Sequence, residues 1–355
     1  MTIGFFSPLP PQRTGVAAYS AALLAALRRH ADVRTNDPRA EIALYHLGNN
    51  RLHADIYRRA LAQPGVVVLH DAVLHHLLLG LLTEAEYIEE FAYNYGDWMR
   101  DLARELWRDR ARSAGDSRYF QYPLLRRLAE RSRAIIVHNR GAVALVRRHR
   151  PDANVVEIPH LYAPPQLPDA AAVEETRAAL GVHRTRFLAG VFGHLRESKR
   201  LPSVFAALRG LNAALLVAGD FVSPELEDAC RPELASAIRL PYVDEETFWR
   251  LASAVDACVN LRYPGAGETS GIATRLMGLG KPVILTASLE TEGYPETACV
   301  RIDPGPPEVE MLRAVLECWI GAPHLAAEVG RRAGLYIQNT HNIDAVVERY
   351  LEVLG

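Results

Sequence analysis

Short apolar runs and amphipathic stretches alternate along this chain from its first residues. TIGFF is brief and wholly apolar in its centre, the pattern of a strand covered on both faces. A turn-rich loop, SPLPPQRTG, follows. Thr14 then stands as an N-cap before GVAAYSAALLAALRRH, whose Val16, Tyr19, Leu23, Leu24 and Leu27 share one helical face. EIALYHL, GVVVLHD, AIIVHN and NVVEIPH read as further strands. Residues 84–133 and 141–149 read as amphipathic helix. Such alternation predicts a parallel sheet with helices on both faces.

The proline- and alanine-rich LYAPPQLPDAAAVEE has the composition of a linker. Beyond it the pattern restarts. RFLAGVFG, AALLVAG, ACVNL and PVILT are strands, and LPSVFAALRGL, DEETFWRLASA and GIATRLMGLG are helices. NIDAVVERYLEVL is a final helix. The chain has 355 residues, and about 100–200 residues per domain makes two domains the natural expectation. Two doubly wound units would place the carboxyl ends of their strands around a shared cleft, where ligands of open α/β sheets bind.

Composition narrows the classes. Hydrophobic residues make up 49% and charged residues 23%, which suits a buried core and excludes a disordered chain. A formal net charge of -2 argues against general nucleic-acid binding. Cys230, Cys258, Cys299 and Cys318 are scattered without a C-x-x-C pair, as in a reducing cytosol, and offer no thiolate metal site. No signal peptide is expected, and the most apolar run, 66–82, carries His70, Asp71, His75 and His76 and is too polar to span a bilayer. Of 40 basic residues only Lys199 and Lys281 are lysine, so a lysine kept against that bias is a candidate for chemistry. Residues 100–150 hold 14 arginines against five acids. The plain reading is a set of solvated, ion-paired helix faces. The sharper one is a peripheral contact with an anionic membrane or a phosphorylated acceptor.

Four stretches carry candidate chemistry. In SPLPPQRTGVAAYS the helix opening at Gly15 and Val16 presents N–H groups and a positive dipole end suited to phosphate, although many strand–helix turns hold a glycine and bind nothing. In VFGHLRESKRL, Arg196 and Lys199 lie just beyond a strand, where cations can neutralise a diphosphate, or simply form a solvated turn. In RYPGAGETSGIATRLMGLGKPVIL, Glu268 stands before a helix start formed by Thr269, Ser270, Gly271 and Ile272. The amides suit phosphate and the carboxylate suits sugar hydroxyls, with plain helix capping as the rival. In VVVLHDAVLHHLL, His70 ends a strand and Asp71 is placed to orient it. A metal cluster of His70, Asp71 and His75 lacks further ligands at suitable spacing.

Taken in order, PLPPQRTGVAAYS, LHD, FGHLRESK, VDEETFWRLASAVDACVNLRYP and GETSGIATRLMGLGKPV resemble the retaining family-4 glycosyltransferases, over nearly the whole chain. The resemblance implies an α/β protein of GT-B fold: two Rossmann-like domains, 1–165 on the acceptor side and 166–340 on the donor side, with the 341–355 helix crossing back to the first. It implies transfer of a sugar from a nucleotide diphosphate sugar, as co-substrate, to an acceptor hydroxyl with retention, without metal or other cofactor. Gly15 and Val16 would meet donor phosphate, His70 the reacting face, and Arg196 and Lys199 the diphosphate. Glu268 would take sugar hydroxyls, with Thr269, Ser270, Gly271 and Ile272 giving amides to sugar and phosphate. Two departures stand out. The second glutamate of the family's motif is missing, with Arg275 or Leu276 in its place, and His194 replaces the usual arginine after the glycine. Arg275 is therefore a candidate to supply the lost charge at the donor. Tyr93, Tyr95 and Trp98 are candidates to meet a glycan, lipid-linked or small-molecule acceptor. The expected location is cytoplasmic, and the sharper reading of residues 100–150 would add a peripheral contact at the inner membrane face. The rival functions are a sugar-nucleotide epimerase on the same frame and a non-catalytic scaffold subunit.

Overall fold

Alternate residues of the apolar strands divide between two packed faces, and that division organises each half of the chain. The computed structural model describes residues 1–355 and separates into two units. The first comprises Met1–Leu161, Pro264–Gly271 and His341–Gly355. Its strands are β1 (Thr2–Phe6), β2 (Asp32–Thr35), β3 (Ile42–Leu47), β4 (Val66–Leu69), β5 (Ala134–Val137) and β6 (Val155–Glu157). They form one parallel sheet in the order β2-β1-β3-β4-β5-β6. Phe5, Leu44, Val68 and Ile136 pack on one face with Leu23 and Leu27 of the Gly15–Leu27 helix and Val347 and Tyr350 of the Ile343–Leu354 helix. Phe6, Tyr45, Val67, Leu69 and Ile135 pack on the other, with Tyr87, Phe91 and Leu128. A central strand such as VVVL is therefore buried on both sides. The two end helices are joined by a buried bond of 2.7 Å between the hydroxyls of Tyr19 and Tyr350.

The second unit comprises Tyr162–Tyr263 and Ile272–Thr340. Its strands are β7 (Phe187–Phe192), β8 (Ala213–Ala218), β9 (Ile238–Leu240), β10 (Ala257–Asn260), β11 (Val283–Thr286) and β12 (Val300–Ile302), again all parallel, in the order β12-β11-β10-β7-β8-β9. Leu188, Leu216, Cys258 and Val283 face one core, while Ala189, Leu215, Val259 and Ile284 face the other. Strand order reverses beside β1 in the first sheet and beside β7 in the second. The loops after β1, β3, β7 and β10 thus flank the crevices where such sheets take ligands.

Two local readings change. The alanine-rich half of the expected linker is helix, Ala170–Ala179, because Asp169 caps it by accepting the Ala172 amide at 2.8 Å. Its Arg177 is buried and donates to the carbonyls of Ala254 and Arg186, each at 2.7 Å. The helical stretch 84–133 is divided. Gly96, at φ +98°, ends the Glu84–Tyr95 helix, and the Arg100–Asp109 and Arg126–Arg131 helices follow.

Candidate functional site

In the first unit, one histidine stands at or beside the carboxyl end of each of four neighbouring strands. His46 lies in β3, His70 follows β4, His138 follows β5 and His160 follows β6. Their rings surround Tyr19, with centroids 6.1, 4.8, 5.2 and 4.7 Å from it, respectively. His138 Nδ1 donates to the Ile158 carbonyl at 2.9 Å. His53 Nδ1 donates to the His46 carbonyl at 3.0 Å, and His341 Nδ1 to that of His160 at 2.5 Å. Burial lowers His53, His138 and His341 to about 4, partly offset by these bonds to carbonyls. Burial, followed by neighbouring histidines, lowers His46 and His70 well below the usual imidazole value. His46, His70 and His138 are therefore neutral imidazoles at physiological pH.

The loop Pro264–Gly271 belongs to this unit and is pinned to the same strand ends. Asn139, the N-cap of the Arg140–His149 helix, accepts the Ala142 amide through Oδ1 at 2.8 Å. Its Nδ2 donates to Gly267 O at 3.1 Å and Thr269 Oγ1 at 2.9 Å. Thr269 Oγ1 donates to the His138 carbonyl at 3.1 Å. Gly267 sits at φ +72°, where a Cβ would lie 2.7 Å from Ala72 Cβ. Only glycine lets the loop rest on the chain just past His70 and Asp71. Glu268 Oε2 accepts the Ala266 amide at 2.6 Å, which fixes the carboxylate by a turn of its own loop. A Cβ on Gly271 would stand 3.3 Å from His160 Nε2.

The other residues of this unit are placed as follows. Thr14 caps the first helix, accepting the Ala17 amide at 3.1 Å. Gly15 is exposed with open space where a Cβ would lie, so no close approach within the protein demands a glycine there, and Val16 is half-buried. Asp71 Oδ2 accepts the Asn49 amide at 2.7 Å, whereas the ring nitrogen bonded to His70 is His46 Nδ1, at 3.0 Å. His75 is locked in packing by the Tyr122 carbonyl at 2.9 Å and the Tyr87 hydroxyl at 2.7 Å. Tyr95 packs on Phe91, Tyr122 and His149 and accepts the Leu124 amide. Tyr93 bonds to Glu130 under the guanidinium groups of Arg126 and Arg127. Trp98 is 80% exposed. All five acids of 100–150 are paired with arginine: Asp101 with Arg104, Glu105, Asp109 and Asp116 with Arg118, and Glu130 with Arg126.

In the second unit the turn after β7 is made by close backbone contact. Gly193 has φ +84°, and a Cβ on Gly219 would fall 2.1 Å from its carbonyl oxygen. Ile272, at the start of the Gly271–Gly278 helix, packs beside Gly193. Arg196 is exposed and Lys199 is buried at 4% exposure. Arg200 takes the left-handed conformation at φ 56°, held by Glu308, which accepts its Nε at 2.9 Å and Ser203 Oγ at 2.5 Å. Burial pushes the Cys258 thiol up to about 12, opposed by the charge of Lys199. Two residues on along the same face of β10, Asn260 is 3% exposed and both its side-chain polar atoms are without partners. Arg275 is engaged by packing: its guanidinium lies 4.0 Å above Phe248 and 4.3 Å above Trp249 and is paired with Glu245. Lys281 Nζ donates to the Ser253 carbonyl at 2.7 Å, as suits a turn residue.

No group of three or more His, Cys, Asp or Glu side chains is arranged to hold a metal ion, and no helix is long and apolar enough to cross a membrane. His46, His138, His160 and Asn139 were missed in the sequence. The usable signal was a repeat in LYHL, VLHD, IVHN and IPH, one histidine at each successive strand end.

No protein-family model matches the sequence, and neither does any curated protein. Solved structures do. The sucrose-phosphate synthase of Thermosynechococcus elongatus superposes with a TM-score of 0.71 over 99% of this chain and 98% of its own, at 16% identity. HepE of Anabaena, solved in complex with UDP-glucose, gives 0.73 over 100% and 99%, at 13% identity. WaaG, a glycosyltransferase involved in lipopolysaccharide biosynthesis, gives 0.67 over 99% of each chain, at 13% identity. The fold is that of these proteins, α/β with two parallel six-stranded sheets, as the resemblance implied.

Proposed function

We propose that this chain is a glycosyltransferase that moves a sugar from a nucleotide diphosphate sugar to an acceptor hydroxyl, retaining configuration at the anomeric carbon. The observation that carries the reading is the loop Pro264–Gly271, fastened by Asn139 and Gly267 to the strand ends that bear His70, within a fold shared end to end with glycosyltransferases. A carboxylate held by its own loop suits neutral hydroxyls, so Glu268 takes the donor sugar. Lys199 and Arg196 neutralise the diphosphate as its charge develops, and the helix-start amides from Ser270 to Ile272 assist, so the leaving group departs without a metal. No protein nucleophile is invoked: the acceptor attacks the face from which the diphosphate leaves, and the departing phosphate takes the acceptor proton. Thr269 positions the loop through its bonds to Asn139 and His138.

The first test is a thermal-shift panel of nucleoside diphosphates, beginning with UDP because HepE was solved with UDP-glucose. A true ligand at 100 times its dissociation constant adds about 2.7 kcal/mol. The stabilising nucleotide then selects the donor for hydrolysis and transfer assays, with the product anomer determined. Retention of the donor's configuration is expected, and an inverted product would overturn that part. If no nucleotide shifts the melting curve and no donor is consumed, the reading fails. Binding without any consumption would leave a scaffold.

A further inference from the structure

Of the four histidines around Tyr19, two are bonded directly to each other. His46 Nδ1 lies 3.0 Å from His70 Nε2, and the rings are stacked at 5.3 Å with 22° between their planes. One nitrogen donates and the other accepts. The surroundings of His46 decide which. Its Nε2 is buried without a partner, with Phe5 at 4.7 Å and Tyr19 at 6.1 Å between ring centroids, and the Tyr19 hydroxyl is taken by Tyr350. A buried N–H with no acceptor is rarer and costlier than an acceptor left bare. His46 therefore keeps its proton on Nδ1, donates to His70 Nε2, and leaves only a lone pair at its own Nε2. His70, neutral and 8% exposed, then carries its proton on Nδ1.

We propose that His46 is a positioning residue that fixes His70 as an Nδ1–H hydrogen-bond donor to an oxygen of the bound sugar nucleotide. In this arrangement His70 cannot act as a general base through Nε2, whose lone pair is already engaged. Nor does it gain or lose a proton during turnover. The nature of the ligand rests on the proposed function, whereas the tautomer is a property of the chain alone.

Long-range proton–nitrogen NMR of the intact, 15N-labelled chain at pH 7.5 tests the assignment, with His70 identified by the signal that His70→Asn removes. The expected result is a protonated Nδ1 and an unprotonated Nε2. His46→Asn keeps an N–H at the position of Nδ1 and preserves that pattern. His46→Phe fills the space without donating, and His70 becomes a mixture of tautomers. In a donor assay His46→Phe raises KM about tenfold, the size of one neutral hydrogen bond, while His46→Asn stays within about threefold of the parent. Protonated Nε2 in the parent chain would overturn the proposal, as would an unchanged tautomer in folded His46→Phe. Should His46→Phe fail to fold, the parent spectrum decides alone. A chain that consumes no donor yet shows this tautomer supports the pair and removes the transferase reading.

Discussion

The two sheets share one topology and differ in what stands at their carboxyl ends. In the first, imidazoles are buried around Tyr19 and held neutral. In the second, the turn after β7 carries Arg196 and the buried Lys199. The backbone framework is common property, so the electrical character of each end comes from the few residues that follow each strand. Neutral rings and carbonyls suit hydroxyls, whereas cations, one exposed and one buried, suit a diphosphate. Two sheets built alike thus differ in charge at their carboxyl ends.

Acid should break this contrast most severely. Unfolded histidines titrate near 6.5, whereas His53, His138 and His341 titrate at about 4 in the folded chain, and His46 and His70 are also held well below 6.5. Below pH 6.5 the unfolded chain binds protons that the native chain refuses. Stability is therefore full above that pH and falls as pH drops towards 4. Calorimetry at pH 7.5 and 5 should show the melting temperature falling by about 10 °C or more. A flat profile would mean the rings are not buried as a neutral cluster.

At the cationic end, Lys199→Met keeps the stem and removes the charge. It should lower kcat by about 100- to 1000-fold while the protein stays folded. An activity unchanged by this variant would remove Lys199 from the diphosphate. Glu268→Ala is expected to cost about 10- to 100-fold in donor consumption, because a charged hydrogen-bond acceptor is lost and the loop is loosened. Arg275→Ala sharpens the comparison from within the second unit. Loss of its stacking and its ion pair should destabilise the fold by about 1–2 kcal/mol in denaturant titration, with donor affinity by calorimetry unchanged. A marked fall in affinity would instead return Arg275 to the donor. Trp98→Ala, at an 80% exposed position, should leave the melting temperature within about 1 °C.

The central strands were legible because burial on both faces leaves an unbroken apolar run, as in VVVL and FLAGVF. DVRT was not, since β2 is an edge strand with three exposed residues of four. β9 and β12 are three residues each, too short for any period to show. The Pro224–Leu234 helix holds Pro232 and a polar face that mask it, and the Glu308–Gly321 and Pro323–Thr340 helices also went unread. Individual candidate residues were visible because glycine, lysine and glutamate stand out between strands and helices. The histidine wall was not, because its members lie up to 114 positions apart from His46 to His160 and meet only once β3 to β6 are side by side. Arg275 shows the opposite limit: its charge stood out in a motif, but its stacking on Phe248 and Trp249 was not legible in the sequence.

The bond between Tyr19 and Tyr350 joins residues 331 positions apart, and the first unit also draws in Pro264–Gly271. During synthesis the opening 161 residues would thus emerge early and wait, with one flank of their sheet uncovered, until the segment from His341 onward leaves the ribosome. At about 5–20 residues per second that exposure lasts on the order of ten seconds or more. The half made first is the half sealed last, and a chaperone that shields the Leu23–Val68–Ile136 face during that interval would serve this protein more than one acting after release.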